Sequence, residues 1–179
     1  MIHMKLALCT DVLGDLSFTE MLDKVQELGI YAVEMTSGGW GGCKHVPTQE
    51  LLADNEKLKA YKEELDKRGM EIAALNCSGN QLCPGKMGEL HTKTIYDTAV
   101  LAGKLGVKKL VMMSGLPAGA PGDKTPNWFT STVSWPYYMV ESVRYQWEDV
   151  AIPWWKKFVE HCKKNGVEPV SYTHLTLPT

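Results

Sequence analysis

Between Ser17 and Gly29 the apolar residues Phe18, Met21, Leu22, Val25 and Leu28 recur at steps of three and four, the spacing of one helical face. Ser17, with Glu20 three residues on, adds a capping-box pattern at the start. The same period predicts a second helix from about Thr48 to Arg68, with Leu51, Leu58, Tyr61 and Leu65 inward, and a third carrying Ile95, Ala99, Ala102 and Leu105. In a fourth, Val150, Trp154 and Phe158 follow at four-residue steps, and Pro153 falls near the first turn or kinks it. Short apolar runs between the helices predict strands at about Lys5 to Thr10, Tyr31 to Thr36, Glu71 to Asn76 and Lys108 to Ser114.

One joint links helix to strand four times, in "ELGIYAVEM", "KRGMEIAAL", "KLGVKKLVM" and "KNGVEPV". A helix stops at glycine, an apolar residue follows, and a strand begins; glycine suits the left-handed position just past a helix, and the apolar residue packs back on the last turn. Strict alternation of strand and helix makes neighbouring strands parallel, because each crossover returns the chain to the same end of the sheet. The fold class is therefore α/β. An open nucleotide-binding sheet would want G-x-G-x-x-G after the first strand, and "LALCTDVLGDLS" lacks it. A closed barrel needs eight parallel (β/α) units and about 250 residues, so about four units of eight would be half of one.

Composition narrows the partners. With 44% hydrophobic and 22% charged residues in 179, the chain is globular, and no apolar run approaches the roughly 20 residues of a bilayer span. The start, "MIHMKLALCTD", has too short an apolar stretch for a secretory signal, so a cytoplasmic location and no membrane partner are expected. Nineteen basic against 21 acidic residues, scattered along the chain, argue against nucleic acid. Five cysteines without a C-x-x-C pair suggest neither a disulfide framework nor a zinc knuckle.

The runs "YAVEMTSGG", "LLADNEKLKAYKEELDKRGMEIAALNCSGNQLCPGK", "LGVKKLVMMSG", "PNWFTSTVSWP" and "WEDVAIPWWKKFVEHCKKNGV" together resemble the amino-terminal half of a sugar phosphate isomerase/epimerase of the xylose-isomerase-like TIM-barrel family. The resemblance extends from Met4 to Val167. It implies a divalent metal (Mn, Mg, Zn or Co), held by carboxylates and a histidine on strands five to eight, with a glutamate pair for proton transfer beside a sugar carbonyl. Those strands are not in the expected half, so no catalytic residue and no metal ligand is assigned here, and no cofactor is expected in the fragment. The final "SYTHLTLPT" departs from the pattern and resembles translated sequencing-adapter sequence. Residues 1–170 are then the half barrel and 171–179 a non-native tail, the native sequence stopping between Val167 and Ser171. The other reading is a real fifth strand, since Tyr172, His174 and Thr176 alternate with Thr173, Leu175 and Leu177.

In such barrels chemistry sits at the carboxyl ends of the strands. There lie Thr10 and Asp11, Glu34 to Ser37, Asn76 to Asn80, and Ser114. Glu34 interrupts an apolar strand, where a carboxylate is costly unless paired; it orients a sugar hydroxyl or is a structural acid. Asn76 and Asn80 bind hydroxyls or satisfy a turn backbone. Trp40, Trp128 and Trp135 offer flat apolar faces to a sugar ring or to the core. His45 lies in the loop after the second strand, as a pocket residue or a solvated one, whereas His91 and His161 read as surface or packing residues. Ser78 and Cys83 stand where the family often has histidines. The substrate-contact set is thus Thr10, Glu34, Trp40, His45, Asn76, Asn80, Ser114 and Trp128. From Ser114 to Trp147 a long Gly-, Pro- and aromatic-rich loop is expected as a pocket wall or lid.

The expected partner is a small sugar or sugar phosphate. The leading expectation is a metal-dependent sugar (phosphate) isomerase/epimerase, inactive as half a barrel. Two alternatives stay open: an endonuclease acting at abasic DNA sites on the same barrel, and a non-catalytic sugar-binding barrel. Unpaired strand edges and an unsealed interior invite self-association into a homo-oligomer.

Overall fold

A computed structural model describes residues 5–127 and 137–172. Five strands, β1 (Leu8–Cys9), β2 (Ala32–Thr36), β3 (Glu71–Asn76), β4 (Lys109–Met113) and β5 (Glu168–Tyr172), form one parallel sheet in the order β1-β2-β3-β4-β5. Between them run α1 (Phe18–Glu27), α2 (Thr48–Ala53), α3 (Asn55–Asp66), α4 (Lys86–Leu105), α5 (Tyr137–Arg144), a π-helical stretch at Tyr145–Ala151, and α6 (Ile152–Lys164).

The glycine joints take the form the sequence predicts. Gly29, Gly69, Gly106 and Gly166 all have φ between 60° and 79°. The apolar residue after each returns its N–H to a carbonyl five residues back: Ile30 to Val25, Met70 to Leu65, Val107 to Ala102 and Val167 to Cys162, at 2.9–3.2 Å. At the start of α1 the capping box is complete, with Ser17 and Glu20 each bonding the other's backbone N–H.

Three expectations need correction. The helix expected over Thr48–Arg68 is two helices, because Asp54 adopts an extended backbone and its carboxylate accepts from the N–H groups of Glu56 and Lys57 at 2.9 and 3.2 Å. The first strand pairs only at Leu8–Cys9, and Thr10 opens a short 3-10 turn. The expected loop over residues 114–147 contains α5 and the start of the π-helical stretch, whose wider turn breaks the 3.6-residue period.

Val33, Met35, Leu75, Leu110 and Met112 face the helices and pack against Leu22, Val25, Ile95, Ala102 and Phe158. Phe158 is fully buried, stacked on Trp154 with ring centroids 5.1 Å apart and flanked by Tyr96 at 5.2 Å. Trp154 is thereby absorbed into the α4–α6 interface, with Trp155 packed beside it.

β5 carries the chain through Ser171 and Tyr172, the first two residues of the segment expected as tail; residues 173–179, with His174, lie outside the described residues. Ser171 is the partner of fully buried Met112, and its Oγ is buried with no hydrogen-bond partner among the described residues. A hydroxyl desolvated without a bond is destabilising. Ser171→Val is therefore expected to raise stability by about 1 kcal/mol, read as a higher urea midpoint at unchanged m-value.

Candidate functional site

The carboxyl ends of β1 to β4 gather most of the predicted polar residues on one rim. On β2 the helix-facing Val33 and Met35 alternate with Glu34, which therefore points into the concave side of the sheet. Asn76 at the end of β3 donates from Nδ2 to Glu34 Oε1 at 2.8 Å, while its Oδ1 accepts from the Ser78 N–H at 3.1 Å and the Ser78 hydroxyl at 2.7 Å. The amide is thus held by three bonds in one orientation. One oxygen of the half-buried carboxylate is satisfied, which reduces the cost of placing it there.

Beside this pair the Thr36 hydroxyl donates to Asp11 Oδ1. A cleft of about 190 Å³ opens between Thr10, Asp11, Thr36, Gly41, Lys44 and His45. The Lys44 ammonium is engaged by the Gly14 carbonyl. Burial, and then the negative charge of Asp11 and Glu34, push the Cys9 thiol up from its ordinary range, against the opposing pull of a hydrogen bond from the Asp11 backbone.

His45 is not a solvated loop residue: it is 5% exposed. Its Nε2 lies 3.1 Å from the Leu16 carbonyl and must donate to it, which leaves Nδ1 to accept from the Thr10 hydroxyl at 3.4 Å. Tyr61 donates to the His45 carbonyl at 3.0 Å and closes the loop from below; burial pushes its phenol up. Thr10 is fully buried in the cleft wall, where its hydroxyl supports His45.

Asn80 is 5% exposed, and its amide closes a two-point clasp on another loop: Nδ2 donates to the Leu116 carbonyl at 3.0 Å and Oδ1 accepts from the Leu116 N–H at 2.7 Å. Three further side chains hold that loop. Gln81 donates to the Met113 carbonyl at 2.7 Å, the Trp155 indole to the Ser114 carbonyl at 2.9 Å, and buried Gln146, from the π-helical stretch, to the Ala118 carbonyl at 3.1 Å and to the Asn127 carbonyl. Gln81, Gln146 and Trp155 were not singled out from sequence, since their partners are distant backbone groups that leave no local pattern.

Trp40 is 62% exposed on the 3-10 turn Gly39–Gly41. Its N–H donates to the Ser78 carbonyl at 2.8 Å. A Cβ on Gly39 would lie 2.1 Å from that same oxygen, so only glycine lets the two loops meet. His91 is a packing residue, buried, accepting the Asn80 N–H on Nδ1 at 2.8 Å and meeting the Trp40 ring edge-on at 5.9 Å. Trp40, Asn80, Met113, Ser114 and Leu116 line a mostly apolar cleft of about 430 Å³. Trp128 and Trp135 lie outside the described residues.

Glu34 with Asn76, and Asp11 with Thr36, thus set polar groups at the carboxyl ends of β1 to β3, and Trp40 with the pinned loop forms a wall at β4. These groups offer carboxylate acceptors to hydroxyl donors. Among the described residues no three His, Cys, Asp or Glu side chains converge as a metal site requires. No described helix is long and apolar enough to cross a membrane.

No family model matches the chain. An uncharacterized protein of Bacillus subtilis, YfiH, is 52% identical over 168 residues, which cover 94% of this chain and 54% of that protein; the chain spans about half the length of the curated relative it matches. Among solved structures, a Rhodospirillum rubrum protein named for xylose isomerase superposes with a TM-score of 0.59 at 16% identity, over 93% of this chain and 52% of that one. A D-tagatose 3-epimerase-like protein gives 0.56 at 21%, over 93% and 51%. A xylose isomerase-like TIM barrel protein from Mycobacterium smegmatis, solved in complex with magnesium, gives 0.56 at 16%, over 92% and 53%. The five-stranded parallel sheet with its covering helices thus has the fold of about half of a TIM barrel.

Proposed function

We propose that this chain is the substrate-facing half of a cytoplasmic enzyme that isomerises or epimerises a sugar or sugar phosphate, and that it is catalytically inert without the other half of its barrel. The single observation that carries the reading is the Glu34–Asn76 pair, a carboxylate fixed at 2.8 Å on the concave rim of a parallel sheet. The fold and the epimerase and isomerase names of its structural neighbours support it. Residues 1–170 are the half barrel in this reading, with 171–179 foreign to it.

The remaining half would supply a divalent metal, whose chemistry is to polarise the sugar carbonyl. The residues present here have other tasks. Glu34 accepts a hydrogen bond from a sugar hydroxyl on its second oxygen, with Asn76 holding the carboxylate plane; Asp11, oriented by Thr36, accepts another. Trp40 and Leu116 cover the carbon side of the sugar and exclude water.

The test is the reading frame extended through all eight strands and assayed on aldoses and ketoses, free and phosphorylated, with Mn, Mg, Zn or Co. Turnover by the extended protein and none by the 179-residue chain is expected. Glu34→Gln in the extended protein should raise KM about ten- to hundredfold with little change in kcat, since a charged hydrogen bond made equally in ground and transition states is worth about 1.5–3 kcal/mol. Tight, salt-sensitive binding of abasic DNA, with no sugar turned over, would defeat the proposal.

A further inference from the structure

We infer that the cleft bounded by the loop after β2, α2 and α4 is a second small-molecule site, which takes a neutral carbonyl compound with an apolar body and holds its oxygen on the His91 ring. The cleft measures about 330 Å³ and shares no lining residue with the two clefts on the strand-end rim. That volume suits a small ligand.

His91 lines the cleft and is only 7% exposed. Its Nδ1 accepts the Asn80 N–H at 2.8 Å, so in the neutral ring the proton sits on Nε2. The two ring nitrogens point away from each other. Nδ1 is turned to Asn80, which lines the rim cleft beside Leu116, and Nε2 is turned to the side on which His91 borders this cleft. No described residue accepts from Nε2. A largely desolvated donor without an acceptor is costly, and a ligand oxygen removes that cost.

The other hydroxyls of the lining are already spent. Ser37 donates to the Asn76 carbonyl at 3.1 Å, Thr48 to the Ser37 carbonyl at 2.7 Å and Thr94 to the Leu90 carbonyl at 2.8 Å. The remaining surface is mostly apolar, with Pro47 and Leu90 on facing sides. At Gly38, where φ is 153°, a Cβ would lie 2.3 Å from Thr94 Cγ2, so glycine is what lets the loop close on α4. Charge then selects the ligand. Among the described residues no Lys or Arg lines the cleft, and Glu50 does, its carboxylate held by Lys57 at 2.7 Å. An anion would meet an acid and no free cation, whereas a neutral carbonyl asks only for the one N–H. Occupancy also reaches the rim: accepting from Nε2 polarises the ring and strengthens Nδ1 as the acceptor for Asn80, whose amide clasps Leu116. None of this rests on the sugar reading.

The experiment is nuclear magnetic resonance of the ¹⁵N-labelled 179-residue chain titrated with acetophenone, with benzoate as the anionic counterpart. The His91 ring should carry its proton on Nε2. Acetophenone should give saturable shifts at His91, Leu90 and Thr94 and slow the exchange of the Asn80 amide, and benzoate should bind more weakly. His91→Asn keeps an acceptor for the Asn80 N–H and removes the Nε2 donor, so it should weaken acetophenone about fivefold, the worth of one neutral hydrogen bond. A proton on Nδ1, no saturable shift at these residues, benzoate binding as tightly as acetophenone, or undiminished binding by His91→Asn would overturn the inference. Should His91→Asn fail to fold by circular dichroism, Thr94→Met decides, because it fills the cleft from α4 and leaves the ring in place. Loss of the shifts supports the site, and their persistence refutes it.

Discussion

Phe158→Ala is expected to cost about 4 kcal/mol, within the roughly 3–5 kcal/mol range for removing a buried phenyl group. Phe158 is fully buried and touches every ring of its neighbourhood: Trp154 at 5.1 Å, Tyr96 at 5.2 Å, Trp155 at 6.1 Å and His161 at 6.5 Å. These rings are the joint between α4 and α6, and α6 is what holds β5 against the sheet through Cys162 and Val167. The surrounding aromatics are tied at their edges, Trp154 to the Thr92 hydroxyl and Trp155 to the Ser114 carbonyl, so they resist collapse into the cavity. Urea unfolding monitored by tryptophan fluorescence gives the measurement. Phe158→Leu should recover more than half of the loss, and a cost below about 1 kcal/mol for the alanine variant would show that the cluster does not close over this ring.

Asn80→Ala is expected to cost about 3 kcal/mol, although it deletes one small side chain. Both backbone groups of half-buried Leu116 lose their partner at once, and each group left unsatisfied costs about 1–3 kcal/mol, toward the lower end where water can reach it. Asn80→Asp separates the two bonds: it retains the acceptor for the Leu116 N–H and sets a carboxylate oxygen against the Leu116 carbonyl. It should be no more stable than the alanine variant at neutral pH. The informative readout is local, since residues 114–118 should exchange their amides faster in both variants while β2 and β3 hold. Unchanged exchange over 114–118 would mean that Gln81, Trp155 and Gln146 suffice to fix the loop.

What could be read from the sequence were features with a short-range cause. The glycine joints were legible because the helix stop and the apolar residue that folds back over it are adjacent; all four have the left-handed backbone and the same return bond. The capping box of α1 and the parallel alternation follow from equally local patterns. Asp54 was hidden by its neighbours: Leu51, Leu58, Tyr61 and Leu65 keep an inward rhythm across the break, so one helix was read where an aspartate cap starts a second. The π-helical stretch obeys no 3.6-residue period; its first residues, Tyr145 to Trp147, were read as loop and Val150 as part of the fourth helix.

At the site, sequence placed the right residue types at the strand ends and could not see their partners. Glu34 and Asn76 are 42 positions apart, and Asn80 and Leu116 are 36 apart. An asparagine in a turn suggests a bond to its own turn; Asn76 makes one, to Ser78, in addition to its bond to Glu34, whereas the Asn80 amide spans two loops. His45 looked solvent-facing because its glycine-rich surroundings carry no apolar pattern; Leu16, Thr10 and Tyr61, all distant in sequence, bury it.

The order of the strands has a consequence for synthesis. Each new strand lands on the edge laid down immediately before it, with its own helix folding back in between. Each strand pairing in the described sheet is therefore complete as soon as the next strand is made, and the sheet can add its strands one at a time in chain order.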